Sequence, residues 1–337
     1  MPMDNPILEV SGLSVSILGD EGVAHVLDGV DLSIPAGQIV GVVGESGSGK
    51  TTLVKAILGI LPKSARVESN SVSVAGMDLL GMNQRELTRK VRGKALGFIP
   101  QDPYLALNPS FKIGAQLTEV VRRYAGQSRS DATGDETGEP RERLAQMLRL
   151  VQIPDPELAL DRYPHEFSGG QRQRLLIAAA LMNMPSLVVA DEPTTALDVT
   201  TQFQILKLLK RLTREFNLSM LFVTHDFGVV AQLCDYVCVL YSGQSVEFGP
   251  ARTVIERPRH PYTKMLIDCH PERDGSMLGI PGSVPSPLSA PAGCRFCPRC
   301  PDAAPVCQIE RPRPLSDASG MVACTLYNGA RKEKSDA

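Results

Sequence analysis

Between residues 7 and 35 apolar and polar positions alternate, with turn residues between them, which is the period-two pattern of antiparallel strands with one buried face. The alternation returns at Val67 to Ala75 and at Ala95 to Pro100. Ile39 to Val43 is a short apolar run that predicts a buried strand, and Thr51 to Leu61 is a helical pattern that stops at Pro62. From about residue 112 to 182 the spacing is helical, interrupted by the polar stretch Gly126 to Arg141, which reads as a solvated loop. Two further apolar runs, Leu187 to Ala190 and Met220 to Thr224, flank a helical segment from Thr201 to Phe216. Strand and helix therefore alternate, which predicts an α/β core with a parallel sheet. After Gly249 the character changes: 13 of the 26 prolines fall between Pro250 and Pro314, so regular structure should be sparse there. A domain is expected over 1–258, with a helical part at about 102–182, followed by an extension over 259–337.

The segment between the Ile39–Val43 strand and the following helix carries chemistry. Gly44-Glu45-Ser46-Gly47-Ser48-Gly49-Lys50-Thr51, with Thr52 after it, is a P-loop in the strand–loop–helix context that the motif requires. Its glycines let the backbone curl so that successive N–H groups point at phosphate oxygens, and the helix N-terminus adds partial positive charge. Lys50 is expected to reach the β- and γ-phosphates, and Thr51 to offer its hydroxyl to Mg²⁺. A second marker is Leu187 to Ala190 followed by Asp191 and Glu192: an apolar strand ending in two carboxylates suits Asp191 to Mg²⁺ and Glu192 to an attacking water.

Charge and cysteine content narrow the partners and the compartment. A formal net charge of −2 argues against a nucleic-acid surface, which needs a dense basic stripe. The run Leu175 to Met182 is far too short to span a bilayer, and no charged-then-apolar segment opens the chain. A cytoplasmic compartment is therefore expected, with any membrane role coming from docking onto other chains. Of eight cysteines, Cys234 and Cys238 sit in an apolar, strand-like stretch and are expected to be inert core residues. Five others crowd between Cys294 and Cys324, a clustering that in a cytosolic protein favours metal ligation over disulfides.

The third marker, Phe167-Ser168-Gly169-Gly170-Gln171-Arg172-Gln173 ahead of a helix, resembles the signature of the ATP-binding-cassette (ABC) ATPases. The resemblance runs from residue 7 to about 250. It implies a P-loop NTPase fold with an antiparallel β subdomain and a helical signature subdomain. It also implies that Ser168, Gly169, Gly170 and Gln171 meet the γ-phosphate bound on an opposite subunit. Gln101 looks like the Q-loop glutamine that senses Mg²⁺ and water and touches the membrane partner. Ala196-Leu197-Asp198 resembles the D-loop, and His225 the switch histidine that keeps Glu192, water and γ-phosphate in register. The chain departs from the family in having no Phe, Tyr or Trp before Phe98, so Ile17 or His25 is left to contact adenine, and weak base selectivity is expected.

Gln101-Asp-Pro103, Leu107-Asn-Pro109 and Arg162-Tyr-Pro-His-Glu166 are similar to segments of oligopeptide and dipeptide importers, as is the run Asp191 to Thr200. Arg259-His-Pro-Tyr-Thr263 and Ile280-Pro-Gly282, followed by the cysteines, resemble the small, irregular Cys-rich C-terminal extension of the peptide and nickel importer group. That resemblance implies ligands at Cys294, Cys300, Cys307 and Cys324 for a [4Fe–4S] cluster, with tetrahedral Zn²⁺ as the alternative and Cys297 as a spare or substitute thiol. It further implies ATP and Mg²⁺ as cofactors, a second homologous ATPase subunit, two transmembrane permease chains and an external substrate-binding protein. The expected place is the cytoplasmic face of the inner membrane. Nickel chelates and oligosaccharides remain alternative cargoes. A soluble ABC ATPase acting on nucleic acid or the ribosome is disfavoured, because the chain carries one cassette and its one insertion lacks heptads.

Overall fold

A computed structural model describes residues 6–125, 139–269 and 279–328. The chain divides into two compact units, Met1–Leu80 with Leu221–Ala337, and Gly81–Met220.

In the first unit the alternating N-terminal segment forms two long antiparallel strands, Leu8–Gly19 and Gly22–Ile34, paired from Leu8↔Ile34 to Gly19↔Gly22 with register shifts between Val10 and Ser16. Leu8–Gly19 also pairs with Ala65–Glu68 and Ser71–Val74, and Met77–Asp78 completes a five-stranded sheet. The apolar run Ile39–Val43 is a strand buried at every position and lies parallel to Tyr236–Tyr241. Burial of every position is what a parallel strand covered on both faces requires. Tyr236–Tyr241 pairs antiparallel with Gln244–Pro250, which pairs in turn with Gly320–Val322, and that strand with Leu315–Asp317. Ser242 and Gly243 make the two-residue turn of the Tyr241/Gln244 hairpin with φ of 43° and 81°, the left-handed pair that a tight hairpin turn demands. A Cβ at Gly243 would lie 2.2 Å from the Val26 carbonyl oxygen, so only glycine fits.

The helix after the phosphate loop, Lys50–Leu58, is shorter than the expected span to Leu61. Gly59, in the left-handed region, ends it by donating its N–H to Ala56 and Lys55 carbonyls, ahead of Pro62. Beyond Gly249 the elements are short, as the prolines predict: helices Ala251–Glu256 and Pro261–Asp268, a 3-10 turn at Cys297–Arg299 and a helical turn at Val306–Ile309. Tyr262, Ile280 and Phe296 from this segment nevertheless share one core with Val43, Val237, Val239 and Tyr241.

The second unit contains the parallel strand pair Leu96–Ile99 and Leu187–Asp191. Its main helices are Ile113–Ala125, Glu139–Leu150, Gly169–Leu181 and Val199–Glu215. The segment expected as a loop over 126–141 is helical from Glu139, and its residues 126–138 lie outside the described residues. Among the described residues no helix is long and apolar enough to cross a membrane.

Candidate nucleotide site

The phosphate loop rises from the buried Ile39–Val43 strand and is arched over its own lysine. Lys50, buried at 7 % exposure, donates from Nζ to the carbonyl oxygens of Gly44 at 2.7 Å and Glu45 at 2.9 Å. Gly47 and Gly49 have φ of 78° and 102°, and a Cβ on Gly47 would project into open space. A Cβ on Gly44 would sit 2.2 Å from the Leu240 carbonyl oxygen and 2.7 Å from Ser48 Oγ. Gly49 caps the helix through its left-handed backbone alone, without a side-chain hydrogen bond. The result is a cation, a curled run of N–H groups and a helix N-terminus in nine consecutive residues, Gly44 to Thr52, which fits a polyphosphate. Ile17 and His25 lie in the N-terminal hairpin opposite Ala24 and Ser16. His225, in the first unit, follows the Ser219–Thr224 strand and is exposed.

The second unit gathers another set. Gln101 Nε2 donates to Glu192 Oε2 at 3.2 Å, and the Thr195 hydroxyl donates to the same oxygen at 3.1 Å. Glu192 has φ of 44°, a conformation that a non-glycine residue holds only when its surroundings enforce it. Asp191, at the end of the Leu187–Asp191 strand, is buried. Ser168 caps the Gly169–Leu181 helix in a capping box: its N–H donates to Gln171 Oε1 at 3.0 Å, and its Oγ accepts from the Gln171 N–H at 3.3 Å. Gly170 is fixed by close approach, since a Cβ there would lie 2.5 Å from Thr201 Cγ2. Thr201 in turn donates from N and Oγ1 to Asp198, at 2.9 and 2.8 Å, so Asp198 is the N-cap of the Val199–Glu215 helix. Arg172 stacks 4.4 Å above the ring of Tyr104, which belongs to the short helix capped by Asp102 just after Gln101.

Cys238 is buried in its strand, and burial pushes its thiol up to about 11, as expected of an inert core cysteine. Cys234 differs from the strand expectation and terminates the helix Phe227–Leu233. None of the eight cysteines is in a disulfide. After burial, the Cys294 thiol is raised further by Cys307 and Cys324, the Cys300 thiol by Cys294 and Cys324, and the Cys324 and Cys297 thiols by Cys307. Burial raises Cys294, Cys324 and, to about 11, Cys300, so metal uptake there must displace protons. Among the described residues, however, no group of three or more His, Cys, Asp or Glu is arranged to hold a metal ion. The expected metal centre is thus not preformed.

Sequence reasoning missed the residues that brace the phosphate loop from the C-terminal segment. Arg299 meets the Glu45 carboxylate with both terminal nitrogens, at 2.8 and 3.0 Å, and the Tyr262 hydroxyl accepts the Glu45 N–H at 2.9 Å. The segments Arg259–Thr263 and Ile280–Gly282 stood out in the sequence, but nothing in their spacing pointed back to residue 45.

The loop, the acidic strand end and the capped signature define a class: a P-loop ATPase cassette that binds and hydrolyses ATP. Residues 27–195 match the family model described as "ABC transporter", and residues 246–307 match "Oligopeptide/dipeptide transporter, C-terminal region". Among relatives, the oligopeptide transport ATP-binding protein OppD of Salmonella typhimurium is 41 % identical over 95 % of this chain and 93 % of its own. The oligopeptide transport ATP-binding protein AppD of Bacillus subtilis is 40 % identical over 98 % of this chain and 99 % of its own. A solved dimeric post-hydrolysis structure of the ATP-binding cassette MJ0796 with ADP and Pi is similar at a TM-score of 0.62 and 27 % identity, covering 73 % of this chain and 99 % of that one. The chain belongs to the ABC transporter family, among the ATP-binding proteins that carry the oligopeptide/dipeptide transporter C-terminal region.

Behind Tyr262 lies a buried titratable pair. Glu247 accepts the N–H groups of Arg259 and His260 at 2.8 and 2.9 Å, and His260 Nδ1 accepts the Tyr262 N–H at 3.1 Å as N-cap of the Pro261–Asp268 helix. Burial drives the His260 imidazole down to about 3, with Lys264 adding to the shift. The unfolded chain therefore binds the proton first, so stability is full above about 6.5 and is lost as pH falls toward about 3. Glu247 shifts upward by burial, which acts in the opposite sense. His260→Asn keeps a helix cap and removes the titration. Denaturant midpoints measured from pH 7 to pH 4 should fall less steeply in His260→Asn than in the unaltered chain, by up to about one proton's worth of slope. Parallel curves would show that His260 does not titrate on unfolding.

Proposed function

We propose that this chain is the ATP-hydrolysing subunit that powers import of di- or oligopeptides through a membrane permease. The observation that carries this reading is a phosphate loop joined to an oligopeptide/dipeptide transporter C-terminal region in one chain. Relatives named for oligopeptide and dipeptide transport match it over nearly all of its length. In this reading Gly44 to Thr52 wraps the triphosphate, and Lys50 neutralises the β- and γ-phosphates. Thr51, Asp191 and Gln101 are the residues that would hold Mg²⁺, which neutralises phosphate charge when bound. Glu192 accepts the proton of the attacking water, with Gln101 and His225 keeping that water and the carboxylate oriented. Ser168, Gly169, Gly170 and Gln171 serve the nucleotide of a second, homologous cassette, and Asp198 lies at the junction of the pair. One phosphate loop per chain makes such a pair necessary. Two permease chains, fed by an external binding protein, complete the importer at the cytoplasmic face of the inner membrane, and Tyr104 and the helix after it belong to the docking side.

Cys294, Cys300, Cys307 and Cys324 are assigned to a [4Fe–4S] cluster. Four thiols outside any disulfide in an irregular segment are a soft donor set.

Two measurements test these readings. Glu192→Gln should lower steady-state ATP turnover by about 10²–10⁴-fold while nucleotide binding persists, and unchanged turnover would refute the assignment. Anaerobically purified protein should contain about four iron and four acid-labile sulfide per chain, whereas zinc or no metal would remove the cluster from the account.

A further inference from the structure

The carboxylate of Glu45 sits inside the phosphate loop, one residue past Gly44, where a negative charge opposes a bound polyphosphate. It does not stand alone. Arg299 grips it with two parallel N–H···O bonds at 2.8 and 3.0 Å, and the arginine side chain is only 3 % exposed. The fork is aimed from behind: Arg299 Nε donates to the Pro281 carbonyl and Nη2 to the Ile280 carbonyl, both at 2.9 Å. Gly282, at φ of 79°, follows those carbonyls, and a Cβ there would press on Arg299 Cγ at 3.3 Å. Tyr241 backs the guanidinium at 5.8 Å from its ring centroid, and Tyr262 holds the Glu45 N–H from the other side. Tyr241, Tyr262 and Phe296 pack ring on ring, with centroids 4.5 to 5.4 Å apart.

We infer that Arg299 and Tyr262 are positioning residues of the nucleotide site, and that Arg299 cancels the Glu45 charge so that the loop accepts a polyphosphate. The inference rests on the reading of Gly44 to Thr52 as the ATP site. A bidentate guanidinium–carboxylate pair fixes orientation as well as charge, which a lysine supplies only in part. The C-terminal segment thereby becomes part of the ATP site rather than an appendage to it. Arg299 also lies two residues after Cys297 and directly before Cys300, so whatever orders that turn orders the fork that holds residue 45.

The test is Mg-ATP affinity of the full-length protein, measured by equilibrium titration in four variants. Arg299→Ala should weaken binding about tenfold, because an uncompensated carboxylate then faces the triphosphate. Arg299→Lys should recover part of that loss. The double variant Glu45→Gln with Arg299→Ala should return to within about threefold of the unaltered chain, since removing both charges removes the conflict. Lys50→Ala, the control, should lose binding whatever happens at Arg299. If Arg299→Ala binds normally while Lys50→Ala does not, the inference is wrong. If the loss in Arg299→Ala is not relieved by Glu45→Gln, Arg299 acts only as a structural strut and charge cancellation is wrong. If Lys50→Ala itself binds normally, the reading of the loop fails, and the inference with it.

Discussion

Two main-chain segments come closer at Gly44 than any side chain would permit, and the rest of the site depends on that approach. A Cβ at residue 44 would overlap the Leu240 carbonyl oxygen at 2.2 Å. The loop therefore lies flat against the end of Tyr236–Tyr241, the strand parallel to the one that leads into it. The following turn completes the support, with Gly243 donating its N–H to the Ser48 carbonyl at 2.9 Å and accepting from Asp28 at 2.9 Å. Burial of the strand beneath, a glycine at the crossing and a tight hairpin beside it turn a flexible glycine-rich stretch into a fixed cradle. Lys50 then folds back over the loop's own carbonyls, which fixes its ammonium at the loop.

Much of this was legible in the sequence because it is local. Five consecutive apolar residues before Gly44 predicted a doubly covered strand, and Ile39–Val43 is one. The signature marked a helix start, and Ser168 with Gln171 caps it at three-residue spacing, the distance at which a side chain can reach the first turn of its own helix; Asp198, expected only as part of the D-loop, caps its helix in the same way through Thr201. Where local rules competed, the nearer signal won: Gly59 ended its helix before Pro62 could. Helical structure likewise reached back to Glu139, into a stretch whose polarity suggested only loop.

The brace on Glu45 was not legible, for a physical reason. Tyr262 and Arg299 are separated from it by 217 and 254 residues, and each reaches it with a single side chain. No pattern of hydrophobicity encodes such a pairing; it arises only once Tyr262, Ile280 and Phe296 are drawn into the core under Val43 and Val239. The proline-rich tail looked unable to build a core of its own. It borrows one instead, burying its aromatic residues against the strands that carry the loop. The cysteines sit in the same segment, which ties their order to that of Arg299.

Chemistry is divided among short elements. The loop supplies charge and N–H groups, the Leu187–Asp191 strand end supplies two carboxylates, and Gln101 and Thr195 share one oxygen of Glu192. Each is anchored by backbone geometry or a cap, so orientation is set before a ligand arrives. The most direct test of this account is the phosphate dependence of binding by the unaltered protein, titrated in turn with ATP, ADP, AMP and adenosine. The cradle predicts that ATP and ADP bind and that AMP and adenosine are weaker by at least about a hundredfold, because the β-phosphate is what the loop and Lys50 surround. Equal affinity for ATP and AMP would contradict it.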